Sequence, residues 1–488
     1  MSKGSDNNWE VIIGLEIHLQ LNTKTKLFSS SPNQFGAEPN THIDFVNTAQ
    51  PGSLPRLNQA AVDKAIALGL ALKSKIAPVS AFDRKSYFYP DCPRNFQITQ
   101  FFHPILIGGR IDALVDGKEK TFFIDRAHLE DDAGIIRHFT DFAGVDFNRA
   151  GTPLIEIVST PCMRSAKEAV AFAKAVKAIA EYLEISDCQL EEGSFRMDTN
   201  VSVRIKGEIE YRNKIEVKNV NSFNHMEIAI ADQVKKQIAA YESRPDEDPK
   251  LVVKTATARF DLKTKSTPIM REKESASDYR YCPEPDLPPL YIAAEQIEAI
   301  AKDLPEFPHA RQERYIQNLG LTPYFADLLV SHKPLSDYFE KALVFTSHAV
   351  ELCKWISIEF VGRLNDADMQ LHTSDIPHEH VAMLVNLLAE KKITGRIAKE
   401  MATIMCEHIG KSPLKILEEN PHFKTLDDAS AIDTIVTQVL DANPSSIEAF
   451  KSGKDRAFNY LVGQVMKESK GTASPDIVKQ ILTEKLKK

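Results

Sequence analysis

The chain lacks the features that mark membrane proteins and disulfide-rich secreted proteins. It has only six cysteines in 488 residues. They lie far apart and form no CxxC pair, which argues against a zinc knuckle and a disulfide framework. No run of about 18 apolar residues occurs, and the polar N-terminal residues resemble neither a signal peptide nor a transit peptide. We therefore expect a cytoplasmic protein with no membrane partner.

Common catalytic and nucleotide-binding signatures are also missing. There is no GxGxxG, no HExxH and no glycine- and serine-rich nucleophile segment, so a self-contained amidase or serine hydrolase is unsupported. Gly410-Lys411-Ser412 resembles the end of a P-loop, but Met405 stands where that motif requires glycine. The residues before it predict a helix rather than a strand. We interpret this segment as a helix end.

Length and charge narrow the class of protein. A chain of 488 residues exceeds the roughly 250–300 residues that one core usually serves, so two or three domains are expected. The formal net charge of −8 argues against a uniformly basic coat, and we expect no DNA partner. Residues 451–488 nevertheless hold nine Lys and Arg against four Asp and Glu, which predicts a local basic patch.

Hydrophobic periodicity predicts an α+β fold followed by helices. Apolar residues alternate from Leu15 to Leu21, and Lys206-Gly207 resembles a two-residue hairpin turn between strands at 200–205 and 208–211. Ser165 and Glu168 form a capping box before a helix. Strand signals nearly vanish after the proline cluster at 282–290. We predict a mainly antiparallel sheet domain with helices at 1–291, a helical domain at 292–410 and a small helical tail domain at 411–488.

Charged residues interrupt the apolar strands of the first domain. Glu16 and His18 share one strand face, about 6.5–7 Å apart. Further acids occur at Glu130-Asp131-Asp132, Glu156, Asp198 and Glu216. A carboxylate among aliphatic residues must be solvated, paired or bound to a cation, because burying it alone is very costly.

Each of these acids taken singly is more often a solvated surface group. Arg149, Arg196 and Arg204 could also pair several of them. The acids recur in five segments of one domain, which favours the interpretation that the sheet brings them together at one site. Carboxylates with one imidazole are suitable ligands for Mg²⁺.

Two further segments combine basic residues with aromatic or amphipathic ones. In Lys85-Ser-Tyr-Phe-Tyr-Pro-Asp-Cys-Pro-Arg-Asn-Phe96 the lysine can hold a phosphate and the aromatics can stack a base, although a turn with packed tyrosines explains the segment equally well. In the tail, basic residues at both ends of the helical segment 457–466 can contact a phosphate backbone: Lys451, Lys454, Arg456, Lys467 and Lys470. An ordinary soluble helix is the alternative.

Several long motifs together resemble one family. They include Gly14-Leu-Glu-Ile-His-Leu-Gln-Leu21, Tyr87-Phe-Tyr-Pro-Asp91, Asp146-Phe-Asn-Arg-Ala-Gly-Thr-Pro-Leu-Ile-Glu-Ile157, Val217-Lys-Asn-Val-Asn-Ser-Phe223 and Phe458-Asn-Tyr-Leu-Val-Gly-Gln-Val-Met-Lys467. In this order, and over nearly the whole chain, they resemble the B subunit of the aspartyl/glutamyl-tRNA(Asn/Gln) amidotransferases, the GatB family.

The resemblance implies an enzyme that works in a heterotrimer with an amidase, the A subunit of the complex, and with its small C subunit. The GatB chain would use ATP and Mg²⁺ to phosphorylate the side-chain carboxylate of Glu-tRNA(Gln), Asp-tRNA(Asn) or both, and ammonia from the amidase would displace the phosphate. The family's pattern assigns Glu16, His18, Asp131, Glu156 and Asp198 to metal binding. It assigns Lys85 to binding the phosphate or the activated acyl group. Lys85, Glu16 and His18 are then the expected catalytic residues. A P-loop is not needed in this family.

The chain departs from the family's pattern at several positions. Phe28–Asn33 and Asn47–Gly52 lack the cysteines that bind zinc in some relatives, so zinc is not expected. Asp131 replaces a longer glutamate, Ile135 replaces lysine, and Thr160-Pro-Cys162 replaces a Glu-Pro-Asp pattern. An archaeal-type relative normally has an extra inserted domain, for which this length leaves little room. A non-catalytic tRNA-binding scaffold remains the alternative function.

Overall fold

The computed structural model describes residues 8–272, 278–366, 369–426, 428–451, 455–469 and 471–487. The strands are β1 (Trp9–Gln20), β2 (Lys75–Ile76), β3 (Val79–Ser86), β4 (Phe96–His103), β5 (Leu106–Ile107), β6 (Arg110–Val115), β7 (Lys118–Asp131), β8 (Ile135–His138), β9 (Ala143–Asp146), β10 (Pro153–Ser159), β11 (Phe195–Ile205), β12 (Ile215–Val220), β13 (Ala256–Arg259), β14 (Ile269–Glu272), β15 (Cys282–Pro283) and β16 (Leu290–Tyr291).

The α-helices occur in both halves of the chain, and beyond β16 they replace the strands among the described residues. They are α1 (Gln59–Ala71), α2 (Ala166–Tyr182), α3 (Phe223–Ser243), α4 (Pro249–Val252), α5 (Ala294–Lys302), α6 (Pro308–Leu319), α7 (Pro323–Val330), α8 (Lys333–Leu343), α9 (Ala349–Lys354), α10 (Val361–Asn365), α11 (His378–Ala389), α12 (Gly395–Glu407), α13 (Pro413–Glu419), α14 (Ala429–Ala442), α15 (Pro444–Lys451), α16 (Asp455–Glu468) and α17 (Pro475–Lys487). Among the residues that the structure describes, no helix has the length and hydropathy that a bilayer span requires.

The first compact unit, Met1–Arg311, is built on one large sheet. Its described strands follow the order β14-β13-β12-β11-β1-β10-β7-β5-β2, with β6 beside β7. The pairs are antiparallel except β12 with β13, which is parallel. The predicted α+β class, a mainly antiparallel sheet with helices followed by a helical half, is confirmed.

Alternation along the central strands separates an apolar face from a polar one. Leu15, Ile17 and Leu19 of β1 are fully buried, and they belong to a core to which α1, α2 and α3 also contribute. Because neighbouring residues of a strand point to opposite faces, Glu16 and His18 lie on the other side of the sheet. The same alternation operates in β10 and β7.

A smaller sheet of β3, β4, β15 and β16 adjoins the end of β7. The backbone N–H of Ile98 in β4 donates to the Asp131 carboxylate at 2.8 Å, and the Gln97 side chain donates to the Asp131 carbonyl at 2.9 Å. Leu129 donates its backbone N–H to the side chain of Gln100. These bonds fix the small sheet, which carries Lys85, against the large one.

The second compact unit, Gln312–Lys488, is helical where it is described. It contains two separate hydrophobic clusters, one formed by residues between Tyr315 and Phe423 and one by residues between Ile432 and Leu486. The predicted three-domain division, with limits at 291 and 410, stays a prediction.

One local prediction was wrong. The segment 208–211 is not a strand, and β11 pairs instead with β12 beyond it. The Lys206-Gly207 turn does form, with Gly207 at φ +95°. The Glu208 carboxylate then accepts the Ile205 N–H and pairs with Arg212, which closes the chain into a loop. The predicted helix after Ser165 forms as α2, and the Ser165 side chain accepts from the Glu168 N–H.

Candidate active site

A row of polar side chains crosses four adjacent strands on the polar face of the large sheet, opposite the apolar core. His18 of β1 lies opposite Arg196 of β11 on one side and Glu156 of β10 on the other, and Glu156 lies opposite His128 of β7. Residues in register on neighbouring strands have their side chains about 5 Å apart. Residues distant in sequence therefore meet on one surface.

His18, Glu130 and Glu156 form the centre of this row, which we name the carboxylate cluster. One ligand atom from each lies within 4.8 Å of the other two. His18 Nε2 is 3.5 Å from Glu156 Oε2 and 3.9 Å from Glu130 Oε1. His128 Nε2 approaches the same Glu156 oxygen at 3.4 Å. Two acids and two imidazoles thus face one small volume.

The charges within the cluster support one another. Burial raises the pKa of the Glu156 carboxyl, but His128 and His18 outweigh that effect and hold the pKa well below its usual value. Burial opposes the charge of His18, yet Glu156 and Glu130 raise its pKa overall. The cluster therefore keeps its Glu156 carboxylate ionised.

Lys85, on the small sheet, faces the carboxylate cluster. Its Nζ is 3.9 Å from Glu130 Oε2 and 5.2 Å from the centre of the Tyr279 ring. Burial disfavours the ammonium, but Glu130 and Glu156 overcome this and raise the pKa of Lys85. The side chain is therefore a fixed positive charge, suited to holding an anion rather than to accepting a proton.

A second group of charges lies one row further along the sheet. Glu16 lies opposite Asp198 in register, and Asn200 donates to Glu16 Oε1 at 2.8 Å. Lys218 Nζ is 3.0 Å from Asp198 Oδ2 and 3.7 Å from Glu216 Oε1. The structure therefore places Glu16 and Asp198 on the same face as the carboxylate cluster, adjacent to it rather than within it.

The placement of Asp131 departs from the expectation that it joins His18 and Glu156. Its carboxylate lies on the opposite face of β7, where it forms an ion pair with Arg94 and accepts the Ile98 N–H. The reason is strand alternation, since Asp131 shares its face with the buried Leu129, and Glu130 shares its face with His128. Glu130 takes the position that we had expected Asp131 to take.

The third acid of the run, Asp132, is held by arginines. Arg196 Nη2 donates to Asp132 Oδ2 at 2.8 Å, and Arg149 Nε lies 3.4 Å from the same oxygen. The alternative that arginines pair some of these acids therefore holds for Arg149 and Arg196, whereas Arg204 pairs with Glu10, which is outside that set. Asp132 therefore contributes to the wall of the site.

A polar cavity of about 580 Å³ lies above these side chains. Its lining includes His18, Lys85, Glu130, Asp198 and Lys218. The volume is within the range of sites that bind drug-sized molecules. Because both carboxylates and ammonium groups line it, the cavity can hold a polyanion together with the cations that neutralise it.

The donor set of the cluster fits a hard divalent cation. Mg²⁺ in phosphoryl-transfer sites is typically held by one or two carboxylates, with waters and substrate phosphates completing the shell. Glu130 Oε2 is buried and has no hydrogen-bond partner among the described residues, as expected of an oxygen that awaits a ligand. Glu130, Glu156 and, as the neutral imidazole, His18 are the residues that would hold such an ion.

Three of the five tail residues predicted to contact RNA lie within the described part of the chain. Lys451 ends α15, and Arg456 and Lys467 are exposed on α16. Arg456 and Lys467 are about three helical turns apart and share one face, with Gly463 between them in open space. Lys454 and Lys470 lie outside the described residues.

Two members of the site were not predicted from the sequence. The motifs assign no role to His128 or Glu130, and they assign metal binding to Asp131. The signal was present, because the apolar residues Ala127 and Leu129 alternate with His128 and Glu130. Period two in this segment places Asp131 on the core side.

Comparison with known proteins agrees with the motifs. Residues 11–298 match the family described as the GatB/GatE catalytic domain, and residues 337–486 match the GatB domain. The chain is 51% identical over 485 residues to the B subunit of the aspartyl/glutamyl-tRNA(Asn/Gln) amidotransferase of Protochlamydia amoebophila, covering 99% of this chain and 98% of that protein. It is 50% identical over 481 residues to the corresponding subunit from Chlamydia pneumoniae, covering 99% of each. On this evidence the chain belongs to the GatB family.

Proposed function

We propose that this chain is the ATP-dependent kinase subunit of a tRNA amidotransferase. It transfers the γ-phosphoryl group of ATP to the side-chain carboxylate of Glu-tRNA(Gln), Asp-tRNA(Asn) or both. A carboxylate oxygen attacks the γ-phosphorus and the bond to ADP breaks. Ammonia then attacks the acyl carbon and phosphate leaves, which gives the amide of Gln-tRNA(Gln) or Asn-tRNA(Asn).

The observation that carries the proposal is the convergence of Glu130, His18 and Lys85 on one cavity, with Glu156 clustered against His18 and Glu130. Phosphoryl transfer requires positioning and charge neutralisation more than covalent chemistry. A non-catalytic scaffold has no use for buried carboxylates that face each other. That alternative is not favoured.

The residues of the site divide the work among them. Glu130, Glu156 and His18 would hold Mg²⁺, which supplies neutralisation of the phosphate charge when bound. The Lys85 ammonium is fixed beside them and would contact a phosphoryl oxygen. Glu16 and Asp198, in the adjacent row, would bind a second cation or orient the first through water. Arg196 and Arg149 hold Asp132 in place and complete the wall of the cavity.

The names of the relatives describe one component of a larger enzyme. We infer that this chain works in a heterotrimer with an amidase, which releases ammonia from glutamine, and with a third, small protein. A misacylated tRNA is then the macromolecular substrate, and the cytoplasm is the expected location.

Substitution of the shared histidine tests the proposal. In the assembled complex, His18→Ala should reduce ADP formation that depends on both ATP and misacylated tRNA by about a hundredfold or more, because a group facing both carboxylates is lost. Glutaminase activity measured without tRNA should be unchanged. Near-normal ADP formation by His18→Ala would refute the kinase assignment.

The predicted role of the tail in binding tRNA is tested by measuring how the affinity for tRNA depends on salt concentration. Each phosphate contact made by a basic residue contributes about one unit to the slope of log affinity against log salt concentration. The double substitution Arg456→Gln with Lys467→Gln should therefore lower that slope by about two and raise KM for tRNA, while kcat at saturating tRNA is retained.

The matched control removes the same number of positive charges at other positions of the helical unit. Lys341 and Lys399 are exposed on α8 and α12, outside the tail. Their double substitution to Gln should leave the slope unchanged. If both doubles lower the slope equally, the tail has no special role in binding tRNA.

A further inference from the structure

Beside the catalytic cavity lies an exposed aromatic surface that the phosphoryl-transfer chemistry does not use. The rings of Tyr87 and Tyr89 stack at a centroid distance of 5.1 Å with an interplanar angle of 13°. We name this pair the aromatic platform. Tyr87 lines the cavity, whereas Tyr89 is 50% exposed. Among the described residues, no second ring or cation is paired with Tyr89.

The loop that carries the platform is held in one conformation by backbone hydrogen bonds. Tyr87 donates to the Asn95 carbonyl at 2.9 Å, and Cys92 donates to the Tyr89 carbonyl at 3.0 Å. Gly134, just after the acidic run, donates to the Asp91 carbonyl at 2.8 Å. Since the loop is tied to the end of β7, the platform keeps a fixed position relative to the carboxylate cluster.

Exposed aromatic rings at the edge of a polar cavity mark a contact surface. Phe88, between the two tyrosines, is 62% exposed, and the Arg280 guanidinium lies 5.5 Å from its ring centre. Parallel aromatic rings with one free face bind planar bases by stacking, and adjacent arginine adds to that attraction. Burial raises the pKa of Tyr87 to about 12, and Asp91 adds to the rise, so this ring stays neutral beside phosphate groups.

We propose that the aromatic platform binds an adenine base by stacking on Tyr89. The proposal rests on the proposed kinase function, because both substrates of that reaction contain adenosine. One is ATP, and the other is the 3′-terminal nucleoside of the misacylated tRNA. Lys85 and Tyr87 line the same cavity, so a base on the platform lies at the edge of the cavity that holds the lysine.

The test replaces adenine by 2-aminopurine, whose fluorescence falls when it stacks on an aromatic ring. Two ligands are compared on the assembled complex: 2-aminopurine riboside triphosphate, and tRNA carrying 2-aminopurine as its 3′-terminal nucleoside. We expect binding to quench one of them. The ligand that is quenched identifies which adenosine occupies the platform.

Substitutions then separate stacking from other contacts. Tyr89→Leu should abolish the quenching and weaken binding of that ligand about tenfold, since stacking a base on an aromatic ring has an effect of this order. Tyr89→Phe keeps the ring and should restore the quenching. Tyr291→Leu is the matched control, because Tyr291 is also exposed but pairs with Val79, at the end of β3 remote from Lys85.

The outcomes distinguish this proposal from the kinase assignment. His18→Ala should keep the quenching while losing turnover, whereas Tyr89→Leu should lose the quenching and raise KM with a smaller effect on kcat. If neither ligand is quenched by the unmodified complex, or if Tyr89→Leu leaves the quenching intact, the platform does not bind adenine. That result would leave the kinase proposal standing.

Discussion

Glu130→Gln should lower the rate of ATP-dependent phosphorylation of misacylated tRNA by about a thousandfold or more, with the fold intact. The substitution preserves the shape of the side chain and removes its charge. Glu130 lies within 4.0 Å of His18, Lys85 and His128, so its charge acts on all three of these basic side chains. A thousandfold loss corresponds to about 4 kcal/mol of lost transition-state stabilisation.

The loss should originate in metal binding. A neutral amide oxygen is a much weaker ligand for Mg²⁺ than a carboxylate. Calorimetric titration of the complex with Mg²⁺ and a non-hydrolysable ATP analogue should therefore show weaker metal binding in Glu130→Gln, while the unfolding temperature stays close to that of the unmodified protein. Normal phosphorylation by Glu130→Gln would exclude this carboxylate from the site.

Asp131→Ala should give the opposite pattern, a loss of stability rather than of chemistry. The substitution leaves the Arg94 guanidinium without its partner and removes the acceptor of the buried Ile98 N–H. Breaking a buried ion pair from one side typically costs about 3–5 kcal/mol. We expect the free energy of unfolding to fall by an amount of this order, measured by urea denaturation of the purified chain.

Activity of Asp131→Ala should fall far less than that of Glu130→Gln at a temperature where both are folded. Some loss is expected, because Asp131 ties β4 to β7 and so helps to position the sheet that carries Lys85. Asp131→Asn offers a control, since its amide oxygen can still accept from Ile98 and should recover part of the stability. A stable but inactive Asp131→Ala would reverse the roles that we assign to these adjacent acids.

The elements of this protein were largely predictable from local pattern. Period two in β1 and the N-cap of α2 each depend on residues close together in sequence, and both formed as expected, although the Glu168 carboxylate accepts from the Arg164 N–H rather than from that of Ser165. The strand predicted at 208–211 failed because Glu208 pairs with Arg212 and caps the chain locally. A short alternating run does not reveal whether a neighbouring strand is available to pair with it.

The sequence by itself determined which residue types the site contains and which family the motifs resemble, because alternation and motif order are local properties of the chain. Only the tertiary structure decided which acids meet. The register between β1, β10 and β7 sets His18, Glu156 and His128 side by side, and that register depends on the packing of strands far apart in sequence. Glu130 and Asp131 are adjacent in β7, yet Glu130 faces the cavity and Asp131 faces Arg94 on the opposite side of the strand.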